Sequence, residues 1–383
     1  MFHFSLFAIV FLNLLCVGAN FPALPSYNEQ FGAEEFALTM LYIAFGLSRA
    51  IVSPFWGQLS DRVGRKPVMI IGSLATIAGS IIWINSTTWW MLMGSRLVDG
   101  LLSAQAVVAA AMITDFVEPK NRTAMFGLIG AAVSLGLTLG PIWGGIVTES
   151  FSPAAVGYGF LILQGLALCV ILFFLPETLQ KSARSTVTFS FAETLAPLGI
   201  RSAQPFYLLT FMGSVIFGTL TIAIPMRTLD LLNWSTLNVS YAFAAIGLVS
   251  AVVQGGALRG LLKITQEKSL IYCGLILMIA GNLLPALFFN TPNIYLGIVI
   301  TTIGGSLALP CIKGLLSKTT ESNAGTVMGY NQALQNLGRS VGPVLGPIGL
   351  LLLPNGEFML PALFTMIPLI LALKMLPQSK TPF

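Results

Sequence analysis

Twelve long apolar runs, separated by short polar breaks, constrain this chain more than any single motif. They lie near residues 4–24, 37–59, 67–85, 90–112, 123–147, 154–175, 205–228, 237–259, 269–289, 293–313, 324–348 and 357–376. A helix needs about 20 apolar residues to cross the hydrocarbon core of a bilayer, and each run is close to that length. Only 9% of the 383 residues are charged and 55% are hydrophobic, against about 25% charged in an ordinary soluble protein. A soluble core of this size cannot bury so much apolar surface. The expected fold is therefore all-α and integral to a membrane, with twelve transmembrane helices. The first run has no Lys or Arg before it and no small-residue cleavage site after it, so it reads as the first span rather than a removable leader.

Loop length and charge organise the spans. One connection is long, from Pro176 to about Gln204, and it divides the runs six and six. The expected domains are a six-helix bundle over 1–176, a linker over 177–204 and a second bundle over 205–383. Every other loop is basic: Arg62, Arg65, Lys66, Lys120, Arg122, Lys181, Arg184, Arg201, Arg259, Lys263, Lys268, Lys318, Lys374 and Lys380, with Lys313 at a span end. The opposite loops carry Glu29, Glu34, Glu35, Glu149, Asp230 and Glu357, with Arg227 the one base nearby. Positively charged loops stay in the cytoplasm, which places both termini and the linker there. It also places Asn121-Arg-Thr away from glycosylation. The compact loops suit a bacterial inner membrane.

The same distribution accounts for the net charge of +5 without a nucleic-acid partner. Cys16, Cys169, Cys273 and Cys311 stand singly in apolar runs, and His3 is the sole histidine. No metal-ligand spacing or nucleophile–base set results, and no phosphate-binding G-x-x-x-x-G-K-[ST] loop is present. A metal, a cofactor and an enzymatic role are not expected.

The two halves echo each other. Span five carries Gly136, Gly140, Pro141, Gly144 and Gly145, and span eleven carries Gly338, Gly342, Pro343, Gly346 and Pro347. The loop after span two, GQLSDRVGRK over 57–66, has a weaker counterpart in GGALRGLLK over 255–263. Small residues four apart favour close helix packing. Gly57 permits a close approach, and Asp61 can pair with a cation or cap a helix across an interface.

Four charges fall inside spans: Arg49, Arg96, Asp99 and Arg339. Each costs about 2.5–3.5 kcal/mol to insert at the centre, so such residues face a polar cavity or one another. Arg96 and Asp99 are three apart and share one face of span four, which Ser103 extends. They are either a structural ion pair or a proton site in which burial raises and Arg96 lowers the carboxyl pKa. Arg49 shares a face with Tyr42 and Phe45, and Arg339 is surrounded by Gln332, Gln335 and Asn336. Asn13, Cys16 and Asn20 line one face of span one, and Thr219, Thr221, Gln254, Thr301 and Thr302 add polar groups in the second half. Such side chains serve either as helix–helix glue or as ligands.

Three motifs make the chain resemble the major facilitator superfamily, and within it the twelve-span drug–proton antiporters: Gly57-Gln-Leu-Ser-Asp61-Arg62-Val-Gly64-Arg65-Lys66, Gly136-Leu-Thr-Leu-Gly140-Pro141-Ile-Trp-Gly144-Gly145, and Arg96-Leu-Val-Asp99-Gly100. Many relatives have Gln where Asp99 stands. The resemblance covers nearly the whole chain. It implies two pseudo-symmetric six-helix bundles around a central cavity, acting as a monomer on small molecules and protons by alternating access. It further implies a cytoplasmic gate at Gly57, Asp61, Arg62, Gly64, Arg65 and Lys66, and a bend and seal at Gly136, Gly140, Pro141, Gly144 and Gly145. Proton coupling falls at Arg96, with Asp99 beside it. Arg49 and Arg339 would flank the cavity with Tyr42, Asn13, Asn20, Gln332, Gln335, Asn336 and Gln254. Export of drugs or amphiphilic metabolites is the expected activity. The excess of arginine leaves a dedicated organic-anion or siderophore-like carrier as an alternative, and a non-transporting receptor on the same scaffold as a third.

Overall fold

The computed structural model describes residues 2–32, 35–179, 199–232, 234, 236–319, 324–353 and 355–375. Glu34, Lys181, Arg184, Lys380 and most of the expected linker lie outside these, as do the side chains of Glu35, Thr221, Arg227, Asp230, Pro343 and Pro347.

The described chain is helical almost throughout. The first half contains α1 (Phe2–Gln30), α2 (Glu35–Val63), α3 (Arg65–Ile84), α4 (Trp89–Leu102), α5 (Gln105–Phe116), α6 (Arg122–Ser150) and α7 (Ala155–Phe174). The second contains α8 (Gln204–Leu232), α9 (Thr236–Val252), α10 (Leu258–Leu261), α11 (Glu267–Leu287), α12 (Thr291–Lys318), α13 (Ala324–Leu352) and α14 (Gly356–Met375). Span four is the pair α4 and α5. Span eight is α9 joined to α10 through a π-helical turn, Val253–Ala257. The count of twelve spans stands. Among the described residues nine helical stretches are long and apolar enough to cross a membrane, and Gln204–Leu220 is a shorter apolar one. The other two spans, α2 and α13, are the least apolar of the long helices, and they carry Arg49 and Arg339.

Packing repeats between the halves. In the first, α1 packs on α6 and α7, α3 on α4 and α7, and α2 on α4. In the second, α8 packs on α13 and α14, α11 on α12 and α14, and α9 on α12. These contacts match pair for pair, as two parallel six-helix repeats require. The seam between the halves is built from α2 against α13 and α6 against α9, with α5 against α13 and α6 against α12 beside them.

Two glycine seams anchor the repeat. A Cβ on Gly140 would meet Gly18 Cα at 2.6 Å, and one on Gly342 would meet Gly218 Cα at 2.7 Å. Both helices approach their partners at van der Waals distance along small residues, the close packing that substitutes for hydrophobic driving force in lipid. Large apolar side chains such as Trp90, Ile162, Phe173, Leu248 and Leu351 are exposed on the periphery, where acyl chains would cover them.

Span four departs from the single continuous helix expected over 90–112. Ser103 is extended, with φ −77° and ψ 97°, and its hydroxyl donates to Gln105 Oε1 at 3.2 Å instead of continuing the Arg96–Asp99 face. The break deprives the Leu101 carbonyl of its helical donor, and the Trp56 indole of α2 donates to it at 2.8 Å. Non-helical backbone at membrane depth persists where protein groups satisfy it.

Candidate functional site

Span four supplies a buried charge pair. The Arg96 and Asp99 side chains lie 3.6 Å apart, Nη1 to Oδ2, and both are almost fully buried. Arg96 has other partners as well: it donates to Asn20 Oδ1 at 3.0 Å and to Ser95 Oγ at 3.3 Å. Its guanidinium lies 4.7 Å from the Trp83 ring centroid and 6.0 Å from that of Phe45. Two aromatic faces and an amide therefore hold the cation, and the ion pair with Asp99 is the longer contact. Its Nε remains without a hydrogen-bond partner. Asn20 fixes its own amide by donating to the Cys16 carbonyl at 3.1 Å. Asn13, about two turns further back on α1, is also buried.

Around this pair, α2 and α13 bring further cations. The Arg49 guanidinium lies 5.1 Å from the centroid of the Phe45 ring, from which Arg96 lies 6.0 Å away. Tyr42 stacks on Phe21, centroids 6.1 Å apart, and donates to the Phe21 carbonyl at 3.5 Å. Arg339 sits 5.3 Å over the Phe217 ring with its Nε unpartnered. Gln332 donates to Asn336 Oδ1 at 3.2 Å along α13, leaving the Asn336 amide nitrogen unpartnered. Arg49 and Arg96 flank one ring, Phe45, Asp99 lies beside Arg96, and α2 meets α13 next to Arg339, where a Cβ on Gly46 would lie 3.1 Å from Ser340 Oγ, so the four charges gather where the halves meet.

Lys313 joins them, a correction to its expected position at a span end. It lies within α12 (Thr291–Lys318) and donates to Gln335 Oε1 on α13 at 3.1 Å. The apolar run fades before the helix does, so the sequence pattern ended the span too early. Gln254 sits elsewhere. It donates to Ser306 Oγ at 3.2 Å, and a Cβ on Gly130 of α6 would collide with its carbonyl oxygen, so its amide packs into the seam between α6 and the π turn.

The end of the bundle that carries the basic loops is fastened across the halves. Asp61 does both things its position allowed. It pairs with Arg65 at 2.7 Å, and it accepts from Gly325 N at 2.9 Å, Thr326 N at 2.8 Å and Thr326 Oγ1 at 2.7 Å. The two backbone bonds cap the N-terminus of α13, where unpaired N–H groups and the helix dipole favour a carboxylate. A Cβ on Gly57 would run into the Gly325 carbonyl. Arg65 is shared with Asp115, Nε to Oδ2 2.7 Å. Gly64 has φ 114°, a conformation open to glycine, and turns α2 into α3. Glu177 then caps α3, accepting from Arg65 N at 3.0 Å and Lys66 N at 3.2 Å, while Lys66 Nζ donates to the Leu172 carbonyl at 2.8 Å. Arg62 is half-buried beside these groups.

A second fastening was not anticipated. Thr123, in the first turn of α6, donates to Glu267 at the start of α11, and Lys318 pairs with the same carboxylate at 2.6 Å. Arg122 Nη1 donates to the Ser317 carbonyl at 2.7 Å. The available signal was Glu267 itself, an acid set among Arg259, Lys263 and Lys268.

In α6, Gly136, Gly140 and Gly144 face Leu14, Leu15, Gly18 and Ala19 of α1, while Gly145 is nearest Pro22. The helix continues through Pro141, and the Trp143 indole donates to the Leu15 carbonyl at 3.3 Å.

The family model described as Major Facilitator Superfamily matches residues 6–343 and 260–382. The chain belongs to the major facilitator superfamily. This member is 27% identical over 345 residues to the class B tetracycline resistance protein of Escherichia coli, covering 88% of this chain and 85% of that protein. It is 26% identical over 325 residues to the human major facilitator superfamily domain-containing protein 10, covering 79% and 70%. The crystal structure of the human organic anion transporter MFSD10 (TETRAN) superposes with a TM-score of 0.87 at 23% identity, covering 97% of this chain and 98% of that one. The transporter FucP in the outward conformation superposes with a TM-score of 0.79 at 15% identity, covering 99% of both chains. The superfamily fold accounts for the repeated packing, and membership makes the chain a transporter of small molecules across a membrane.

Proposed function

We propose that this chain is a proton-coupled secondary transporter that exports an amphiphilic cargo bearing an anionic group. The observation that carries the reading is the charge balance where the halves meet: Arg49, Arg96 and Arg339 gather there with Asp99 as the acid beside Arg96. An anionic group on the cargo would offset that excess, and Phe45, Phe217 and Tyr42 offer apolar surface for its body. The similarity to an organic anion transporter and to tetracycline resistance proteins supports anionic cargo and export, respectively.

In this reading Asp99 carries the proton. Its long contact with Arg96 is lost when it protonates, which leaves Arg96 to Asn20 and to the cargo. The basic end is cytoplasmic, as are both termini, in a bacterial inner membrane, and the protein works as a monomer of two rocking domains, 1–176 and 205–383, joined by the linker 177–204. Asp61 then latches the cytoplasmic side. A net hydrogen bond to a charged group contributes about 1.5–3 kcal/mol, so three of them are comparable with micromolar binding, about 8 kcal/mol. Cargo and proton binding can therefore work against the latch.

Inside-out vesicles under an imposed proton gradient test the reading with cationic drugs and anionic amphiphiles side by side. Gradient-driven movement of the anions is the expected result. Movement of cations alone would overturn the cargo assignment, and movement indifferent to the gradient would overturn the coupling.

A further inference from the structure

We propose that Lys313, Gln335 and Arg339 form a distinct subsite in the second half that binds the anionic group of the cargo, a carboxylate or sulfonate. The proposal rests on the anionic-cargo reading above and adds a residue and a location to it. Gln335 and Arg339 are one helical turn apart on α13, so they present one face. Lys313 reaches that face from α12 and donates to Gln335 Oε1 at 3.1 Å. Lys313 and Arg339 thus bring two positive charges to one face of α13.

No acid among the described residues is within ion-pairing distance of Lys313 or Arg339. The charged groups on the neighbouring elements are otherwise engaged. Glu267 of α11 pairs with Lys318 and accepts from Thr123, Asp99 of α4 pairs with Arg96, and Arg122 of α6 donates to backbone carbonyls. Within the spans a lysine and an arginine so placed are each costly and are kept for pathways or partners. Their partner here is a neutral amide for Lys313 and the Phe217 ring for Arg339. The Arg339 Nε–H has no acceptor. A carboxylate or sulfonate supplies the acceptors that both cations lack, with Lys313 as a point charge and Arg339 as a planar fork, and the Gln335 amide fixes the lysine between them.

Counterflow in proteoliposomes tests this with the full chain, using carboxyfluorescein as the anionic probe and rhodamine 6G as the cationic comparator. Lys313→Gln should raise the half-saturating carboxyfluorescein concentration roughly tenfold or more, the loss of one charged hydrogen bond, and weaken carboxyfluorescein handling more than rhodamine 6G handling. Lys313→Arg should restore anion handling. Carboxyfluorescein should raise the unfolding temperature of the parent and of Lys313→Arg but not of Lys313→Gln. Unchanged anion half-saturation in Lys313→Gln overturns the subsite alone. An equal loss for both probes, with or without rescue by arginine, assigns Lys313 a packing role and overturns it as well. A parent protein that neither moves nor is stabilised by carboxyfluorescein overturns the subsite together with the anionic-cargo reading.

Discussion

Asp99 and Asp61 are both buried carboxylates beside arginines, yet their surroundings differ. Asp61 accepts three bonds from α13 and holds Arg65 at 2.7 Å. Asp99 has a longer contact, 3.6 Å, with an arginine that also donates to Asn20 and Ser95. The first fixes a helix end, and the second is the carboxylate to which our proposal gives the proton. Asp99→Asn should therefore abolish transport driven by a proton gradient while leaving cargo counterflow in place, measured in the same proteoliposomes. Asp61→Asn weakens charged bonds worth about 1.5–3 kcal/mol each, and the basic end should open more often, seen as faster labelling of a cysteine placed at Thr326. The Asp61 motif was legible because Gly57, Asp61 and Gly64 sit at fixed places in a short loop. Asn20 as the partner of Arg96, Lys313 within the membrane and Glu267 as a second fastener were not. Each depends on which helix lies opposite, and that is decided by packing far from the residue in sequence.

At the scale of elements, the spans themselves were readable because lipid imposes a length and an apolar composition on each. The glycine rows of spans five and eleven pointed correctly to close packing, and the structure shows the partners to be α1 and α8. Gly140→Leu should separate α6 from α1 and cost about 1–3 kcal/mol, as overpacking does, measured as a lower unfolding temperature in detergent. The interruption at Ser103 left no mark in the sequence, which runs LLSAQAVVAAA with neither proline nor glycine at the break. What permits it is Trp56 on another helix. Trp56→Phe removes the donor to the Leu101 carbonyl and should cost about 1–3 kcal/mol for the unpaired group, with the unfolding temperature falling accordingly.

Across the whole molecule, the hydrogen bonds to Asp61 and those from Thr123 and Arg122 bring the halves together at the basic end. Alternating access requires that end to part. With Cys16, Cys169, Cys273 and Cys311 replaced, Thr123→Cys together with Gly314→Cys brings two thiols to the α6–α12 seam, since a Cβ on Gly314 would lie 2.8 Å from Thr123 Cβ. Oxidation should stop transport and reduction should restore it. A cross-linked protein that transports at the parent rate would show that the seam never opens.

Glu177 gives the first half a finished edge. By capping α3 through Arg65 N and Lys66 N, it ties the end of the first bundle back onto that bundle before the connection to the second begins. What joins the halves is the surface of α2 and α5 on α13 and of α6 on α9 and α12. A gene cut between the codons for Lys181 and Arg184 would then yield two polypeptides that find each other in the bilayer, so that the transporter could be inherited, expressed and reassembled as a pair.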